Sequence, residues 1–90
     1  MKPRVLTQVA PVYPPEAKRR QAEDTVVLRV LISAGGTVSD VAFLRHAQED
    51  ASFDAAAASA VRRWTFSPAQ KNGEPVACWF NVAVPFRLKK

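Results

Sequence analysis

His46 is the only histidine in the 90-residue sequence, so it is the only side chain that would ordinarily act as a base near neutral pH. A serine or cysteine nucleophile needs such a base beside it and a third group to orient that base. Nothing in the spacing of the chain places His46 near a nucleophile. The pair Gly35-Gly36 fits a hairpin turn rather than a phosphate-binding loop. The sequence therefore predicts a protein that is not an enzyme.

Metal and redox chemistry are also disfavoured by the residue types. Cys78 is the only cysteine, so no disulfide forms within the chain. A structural zinc site gathers several Cys and His ligands at short spacings, and here one of each lies far from the other. Cys78 alternates with apolar residues, which is typical of a small buried hydrophobe. We expect no metal and no cofactor.

The backbone of the last predicted strand offers a different chemistry, namely hydrogen bonding to another chain. Residues 75–88 form the longest alternating run in the sequence. One face carries Val76, Cys78, Phe80, Val82, Val84, Phe86 and Leu88. No charged residue occurs between Val76 and Val84, although exposed strand edges are usually protected by charge. This pattern predicts an edge that pairs with an extended peptide of a partner protein.

Four further elements are needed to position that strand. Residues 25–33 and 37–46 read as strands joined by a tight turn at Gly35-Gly36, with a bulge or register irregularity expected at Ser39 and Asp40 in the second strand. Residues 53–64 read as a helix with Ser52 or Asp54 as its N-cap. Residues 15–21 read as a short helix that begins with proline.

These elements predict one α+β domain. The two hairpin strands are antiparallel, and a right-handed crossover through the main helix makes the second and third strands parallel. An antiparallel three-stranded sheet of order 2-1-3 results, with the main helix on one face and the last strand at an edge. Pro85 supports the edge position, because proline donates no ladder hydrogen bond.

The remainder of the chain is assigned by composition. Residues 1–12 are predicted to be an irregular arm at the end of a linker, residues 13–88 the domain, and residues 89–90 a basic tail. The net charge of +5 favours acidic partners. No run approaches the roughly 20 apolar residues that span a bilayer.

Several motifs together resemble one family. They are Tyr13-Pro14, the glycine-centred hairpin, the pattern Ala-Val-x-x-Trp-x-Phe-x-Pro-Ala over residues 60–69 and Val-Pro-Phe over residues 84–86. The combination resembles the C-terminal domain of TonB energy transducers and covers residues 11–88.

The resemblance implies a periplasmic domain of a Gram-negative bacterium, with the full-length protein anchored in the inner membrane and driven by ExbB/ExbD-type motor proteins. It implies that the last strand pairs with the TonB box, a short segment of outer-membrane transporters. The implied partner-binding residues are Val12, Tyr13, Pro14, Trp79, Phe80, Asn81, Val82, Ala83 and Val84. For Tyr13-Pro14 the sequence leaves two roles open, a direct contact with the partner or an anchor that holds the N-terminal arm to the fold.

The sequence leaves open what covers Trp79 and which kind of partner pairs with the edge. Trp79 lies on the face opposite the main helix, where either residues 1–12 fold back over it or it lines a surface for a partner. The same edge would also serve a TolA-like periplasmic scaffold or a homodimer. A small RNA-binding domain is disfavoured, because residues 25–33 carry no aromatic side chain for base stacking. We therefore expect no nucleic-acid partner.

Overall fold

The computed structural model describes residues 3–88. In chain order the elements are β1 (Arg4–Thr7), α1 (Pro15–Arg19), β2 (Asp24–Ile32), β3 (Val38–Arg45), α2 (Ser52–Val61), β4 (Thr65–Ser67), β5 (Ala69–Lys71), β6 (Glu74–Val76) and β7 (Cys78–Phe86). The predicted α+β class is confirmed.

The long strands form an antiparallel sheet of order β3-β2-β7. Strand β2 is central, and its ladder with β7 runs without a register shift from Asp24 opposite Phe86 to Ile32 opposite Cys78. The prediction of a single sheet was incomplete. The ladders β1-β4 and β5-β6 are additional, and the predicted last strand is divided at Ala77 into β6 and β7.

The core lies between this sheet and α2. Alternate residues of β2 are fully buried, as their period of two predicts: Val26, Leu28, Val30 and Ile32. Phe53, Ala57 and Val61 of α2 are also fully buried. Burial of each large apolar side chain contributes about 1.5–3 kcal/mol relative to exposure. Trp64 and Phe66, just beyond α2, are buried as well.

The predicted bulge in β3 is confirmed. Leu31 pairs with Asp40 whereas Ile32 pairs with Val38, so Ser39 is the extra residue. Its hydroxyl donates to the Leu31 carbonyl oxygen at 3.2 Å. The bulge therefore keeps a polar residue on the strand without breaking the pairing on either side of it.

The start of α2 differs from the prediction. The helix begins at Ser52, and its N-cap residue Ala51 makes no side-chain capping bond. Asp50 instead accepts from the Ser52 backbone N–H at 2.9 Å. Asp54 turns away from the helix end and accepts from the Ala47 N–H at 2.7 Å. The predicted cap at Ser52 or Asp54 was wrong, because both residues already lie inside the helix.

The N-terminal arm is partly ordered as a strand. Arg4 and Val5 pair with Ser67 and Phe66 of β4, where an irregular segment was expected. All residues of β1 are exposed, so no alternation in the sequence reveals the strand. The basic tail predicted at residues 89–90 lies outside the described residues.

Gly36 connects the β2-β3 hairpin to β4. Its φ is +89°, and its carbonyl oxygen accepts from the Phe66 N–H at 2.8 Å. A Cβ at this position would collide with the backbone carbonyl of Phe66. Only glycine therefore fits this turn without displacing β4.

We expect Gly36→Ala to lower the free energy of unfolding by about 2–3 kcal/mol, from left-handed strain and the collision together. Gly73→Ala is the matched control, because Gly73 has φ of +80° but no atom within 4 Å of an added Cβ. The control should lose about 1 kcal/mol. Urea denaturation measures both variants, and equal losses would contradict the close packing at Gly36.

Asp24 holds the loop between β3 and α2. Its buried carboxylate accepts from the backbone N–H groups of Thr25, Gln48 and Glu49 at 2.7, 2.6 and 3.0 Å. The Glu49 N–H is the largest cause that lowers the pKa of Asp24, ahead of those of Thr25 and Gln48 and the charge of Arg45, while burial opposes them. Folding thus stabilises the ionised carboxylate.

This lowered pKa makes the folded state sensitive to acid. The contribution of Asp24 is complete above its unfolded pKa of about 3.9 and is lost as pH falls through the lower folded value. Asp24→Asn should therefore cost about 1–3 kcal/mol at pH 7 and weaken the decline in stability below pH 4. Denaturation from pH 2 to 7 tests this, with Asp40→Asn as the exposed control. Identical pH profiles for wild type and Asp24→Asn would contradict it.

Candidate functional site

The outer side of β7 is a free strand edge. Within residues 3–88, β7 pairs with β2 only. Two residues at the end of the hairpin show which backbone groups point outward. Ser33, which continues β2, donates its N–H to the Thr37 carbonyl at 2.8 Å, so its backbone groups point toward β3.

Alternation along the unbroken β2 extends this observation to β7. Odd-numbered residues of β2 direct their N–H and C=O toward β3, and even-numbered ones direct theirs toward β7. Leu28 and Val30 are even-numbered and face Val82 and Phe80. Val82 and Phe80 therefore direct their backbone N–H and C=O groups toward β2, and the residues that alternate with them on β7 direct theirs away from it. Trp79, Asn81 and Ala83 form this set, which we call the open edge.

Pro85 fits the same alternation. It lies opposite Thr25, two residues beyond Ala83, and would direct an N–H outward if it had one. Because proline lacks that donor, the ladder with β2 is undisturbed. Proline thus ends the row of outward donors at the C-terminal end of β7.

The six predicted site residues of β7 divide between two faces. Val82 and Val84 are buried toward α2, and Phe80 is half-buried with its ring edge-on to Phe66 at 5.8 Å. Trp79, Asn81 and Ala83 are exposed on the opposite side. We call this side the helix-free face, formed by Thr25, Val27, Arg29 and Leu31 of β2 together with Trp79, Asn81 and Ala83 of β7.

Trp79 is accessible on this face. It is 41% exposed, and the guanidinium carbon of Arg29 lies 4.8 Å from its ring centroid. The described part of the N-terminal arm, residues 3–12, does not cover it. The arm runs along β4 instead, and the Val9 carbonyl accepts from the indole N–H of Trp64 at 2.9 Å. Of the two alternatives that the sequence left open for Trp79, the structure therefore favours an accessible ring, since this part of the arm lies beside β4 and Trp64.

Tyr13 is mainly a packing residue. Its ring meets Phe53 and Phe86 edge-on, with centroids 5.6 and 5.7 Å away, and its hydroxyl donates to the Ala22 carbonyl. Burial, with a smaller effect from the charge of Glu23, raises the pKa of Tyr13, so its hydroxyl stays a donor at neutral pH. Tyr13 therefore contacts the C-terminal end of β7 from inside the fold.

Val12 and Pro14 are the neighbours of Tyr13 in the chain. The Pro14 carbonyl accepts from the Lys18 N–H at 2.9 Å and starts α1. Val12 is 75% exposed and borders a cavity of about 130 Å³. The cavity is lined by Ala10, Val12, Ala56, Ser59, Ala60 and Arg63.

The structure does not gather the predicted site residues into one cluster. Tyr13 contacts Phe86, whereas Trp79 begins the open edge seven residues earlier, about 23 Å along an extended strand. Arg29 was not among the predicted site residues. The alternation along β2 puts Arg29 on the same face as Val27 and Leu31, but the β2-β7 register is needed to show that it lies beside Trp79.

Two further kinds of feature concern residues 3–88, clusters of metal ligands and membrane-spanning helices. No three side chains of His, Cys, Asp or Glu come together there as metal ligands. No helix in that range is long and apolar enough to cross a bilayer.

Known proteins similar to this chain identify its family. The profile described as Gram-negative bacterial TonB protein C-terminal matches residues 9–88. Protein tonB2 of Pseudomonas aeruginosa is 39% identical over 79 residues, which cover 88% of this chain and 29% of that protein. Protein TonB of Vibrio cholerae is 33% identical over 85 residues, which cover 94% of this chain and 34% of that protein.

A solved structure supports the same assignment. The solution NMR structure of the Pseudomonas aeruginosa TonB CTD matches with a TM-score of 0.80 at 27% identity, and the match covers 99% of this chain and 89% of that one. The chain spans about a third of the length of its curated relatives. It belongs to the family of Gram-negative bacterial TonB protein C-terminal domains.

Proposed function

We propose that this domain binds the TonB box of outer-membrane transporters by adding it as a strand to β7. The observation that carries the proposal is the open edge, where Trp79, Asn81 and Ala83 direct backbone donors and acceptors to solvent and no charged residue occurs along the strand from Val76 to Val84. An extended peptide satisfies these groups by continuing the β3-β2-β7 sheet. The family assignment supplies the partner class.

The expected affinity is moderate. About five ladder bonds at about 1 kcal/mol net each give roughly 5 kcal/mol before ordering costs. Contacts with the exposed Trp79 ring add to this, and a micromolar Kd corresponds to about 8 kcal/mol. Such a complex forms and dissociates readily, which suits repeated coupling to transporters.

The role of the whole protein follows from the same proposal. The domain works in the periplasm of a Gram-negative bacterium, on a protein anchored in the inner membrane and driven by ExbB/ExbD-type motor proteins. Tension applied to the domain passes to the transporter through the backbone bonds of the added strand. Val12, Tyr13 and Pro14 form a second contact region, for which the exposed Val12 and the adjacent cavity provide room.

Isothermal titration calorimetry with a synthetic TonB-box peptide tests the proposal. We expect a Kd in the micromolar range and no heat from a peptide of the same composition in scrambled order. The domain is kept at a concentration where sedimentation shows a monomer, because a second copy would compete for the same edge. Absence of binding at millimolar peptide would overturn the proposal.

A further inference from the structure

We propose that Arg29, seated on Trp79, makes the open edge selective for strands that carry an aspartate or glutamate on the helix-free face. This inference deepens the proposed function and rests on it. It concerns which peptides bind best, and the position of one charged group carries it.

Arg29 belongs to the central strand, but its charge lies over the edge strand. Its direct neighbours across the two ladders are Ala42 on β3 and Asn81 on β7. The guanidinium carbon is 4.8 Å from the centroid of the Trp79 ring. The side chain therefore extends toward β7 and the open edge, and a cation–π contact holds it there.

This charge has no acidic partner in the described part of the chain. The ion pairs of residues 3–88 join Arg19 to Glu16, Arg20 to Asp50 and Arg45 to Asp24, and His46 forms a hydrogen bond with Asp54. Arg29 is absent from this set and is exposed. On the same side of the sheet, Asp40 uses a carboxylate oxygen to accept from the Val41 N–H at 2.8 Å. Arg29 is thus a positioned cation with room for an external anion.

An added strand would bring side chains within reach of it. Neighbouring strands lie about 4.8 Å apart, and directly opposed Cβ atoms are about 4.5–5.5 Å apart. A residue opposite Trp79 or Asn81 and on the helix-free face therefore lies beside the Arg29 guanidinium. A carboxylate there pairs with Arg29, whereas a lysine is repelled. The net charge of +5 also attracts acidic peptides over a longer distance.

Paired peptides test this selectivity. In the TonB-box peptide used for calorimetry, each position is replaced in turn by glutamate or by glutamine. For the positions that face Arg29, we expect the glutamate peptide to bind about threefold to fivefold more tightly at low salt, the upper part of the range for an exposed ion pair. Added salt should reduce the difference.

Arg29→Gln should abolish the difference between glutamate and glutamine peptides while leaving the glutamine peptide within about twofold of wild type. Arg62→Gln is the matched control, because it removes the same charge from an exposed position after α2 and should keep the difference. Equal preferences in wild type and Arg29→Gln would overturn the inference while the proposed function stands. Failure of every peptide to bind would overturn both.

Discussion

Replacing Ala83 with proline is expected to weaken binding of a TonB-box peptide at least about tenfold while the domain stays folded. The substitution removes one outward donor, worth about 1 kcal/mol, and places a ring where the partner strand must lie. The ladder with β2 keeps its bonds, because Ala83 directs its N–H to solvent. Pro85 already occupies an equivalent outward position. Calorimetry gives the affinity, and urea denaturation should show a loss of no more than about 1 kcal/mol.

Val82→Pro is the matched control one residue earlier. Val82 faces Leu28 and is 5% exposed, so proline there removes a ladder bond and a buried contact. A cost of about 3 kcal/mol or more is expected, which is a large part of the stability of a domain this small. If both prolines destabilised the fold equally, or if Ala83→Pro bound peptide normally, the assigned direction of the open edge would be contradicted.

Replacing Phe53 with alanine is expected to have the largest effect on stability, a loss of about 3–5 kcal/mol. Phe53 is fully buried and stacks on Phe86 with centroids 4.5 Å apart. Tyr13 closes the same aromatic cluster. The cluster joins α2, the end of β7 and the Tyr13-Pro14 segment, so its loss loosens all three.

Phe53→Leu is the matched control, because it keeps a large apolar side chain at this position. It keeps most of the apolar volume and should cost less than about 1.5 kcal/mol. Urea denaturation measures both variants, and peptide affinity is compared only for the one that stays folded. A loss below about 1 kcal/mol for Phe53→Ala would mean that the aromatic cluster does not hold the fold together.

The alternating patterns were enough to predict the main sheet. Apolar residues at every second position of β2 marked its buried face, and Gly35-Gly36 marked the hairpin. Pro85 indicated the edge strand. These signals are local in sequence, so they can be recognised without knowing the tertiary contacts.

The short ladders could not be predicted in this way. Strands β1, β4, β5 and β6 have only three or four residues each, too few to show a period. The pairing of β1 with β4 also depends on neighbours distant in sequence, such as Val5 opposite Phe66. The role of Asp24 is hidden for the same reason, because its backbone partners Gln48 and Glu49 lie across the fold.

The sequence predicted which strand forms the candidate site, but not which backbone groups and side chains that strand exposes. Sequence alone placed residues 79–84 at an edge, yet it could not show which of their backbone groups point outward. That assignment depends on the hydrogen bond between Ser33 and Thr37 and on the unbroken register of β2 with β7. The pairing of Arg29 with Trp79 likewise needs the cross-strand register, since fifty residues separate them in sequence.

Amide hydrogen exchange measured by NMR, with and without the TonB-box peptide, tests strand addition to β7 most directly. The N–H groups of Trp79, Asn81 and Ala83 should exchange rapidly in the free domain and slow by at least about tenfold when the peptide is bound. The N–H of Val82, already bonded to β2, should be protected in both states. Unchanged exchange at Trp79, Asn81 and Ala83 under saturating peptide would contradict strand addition at β7.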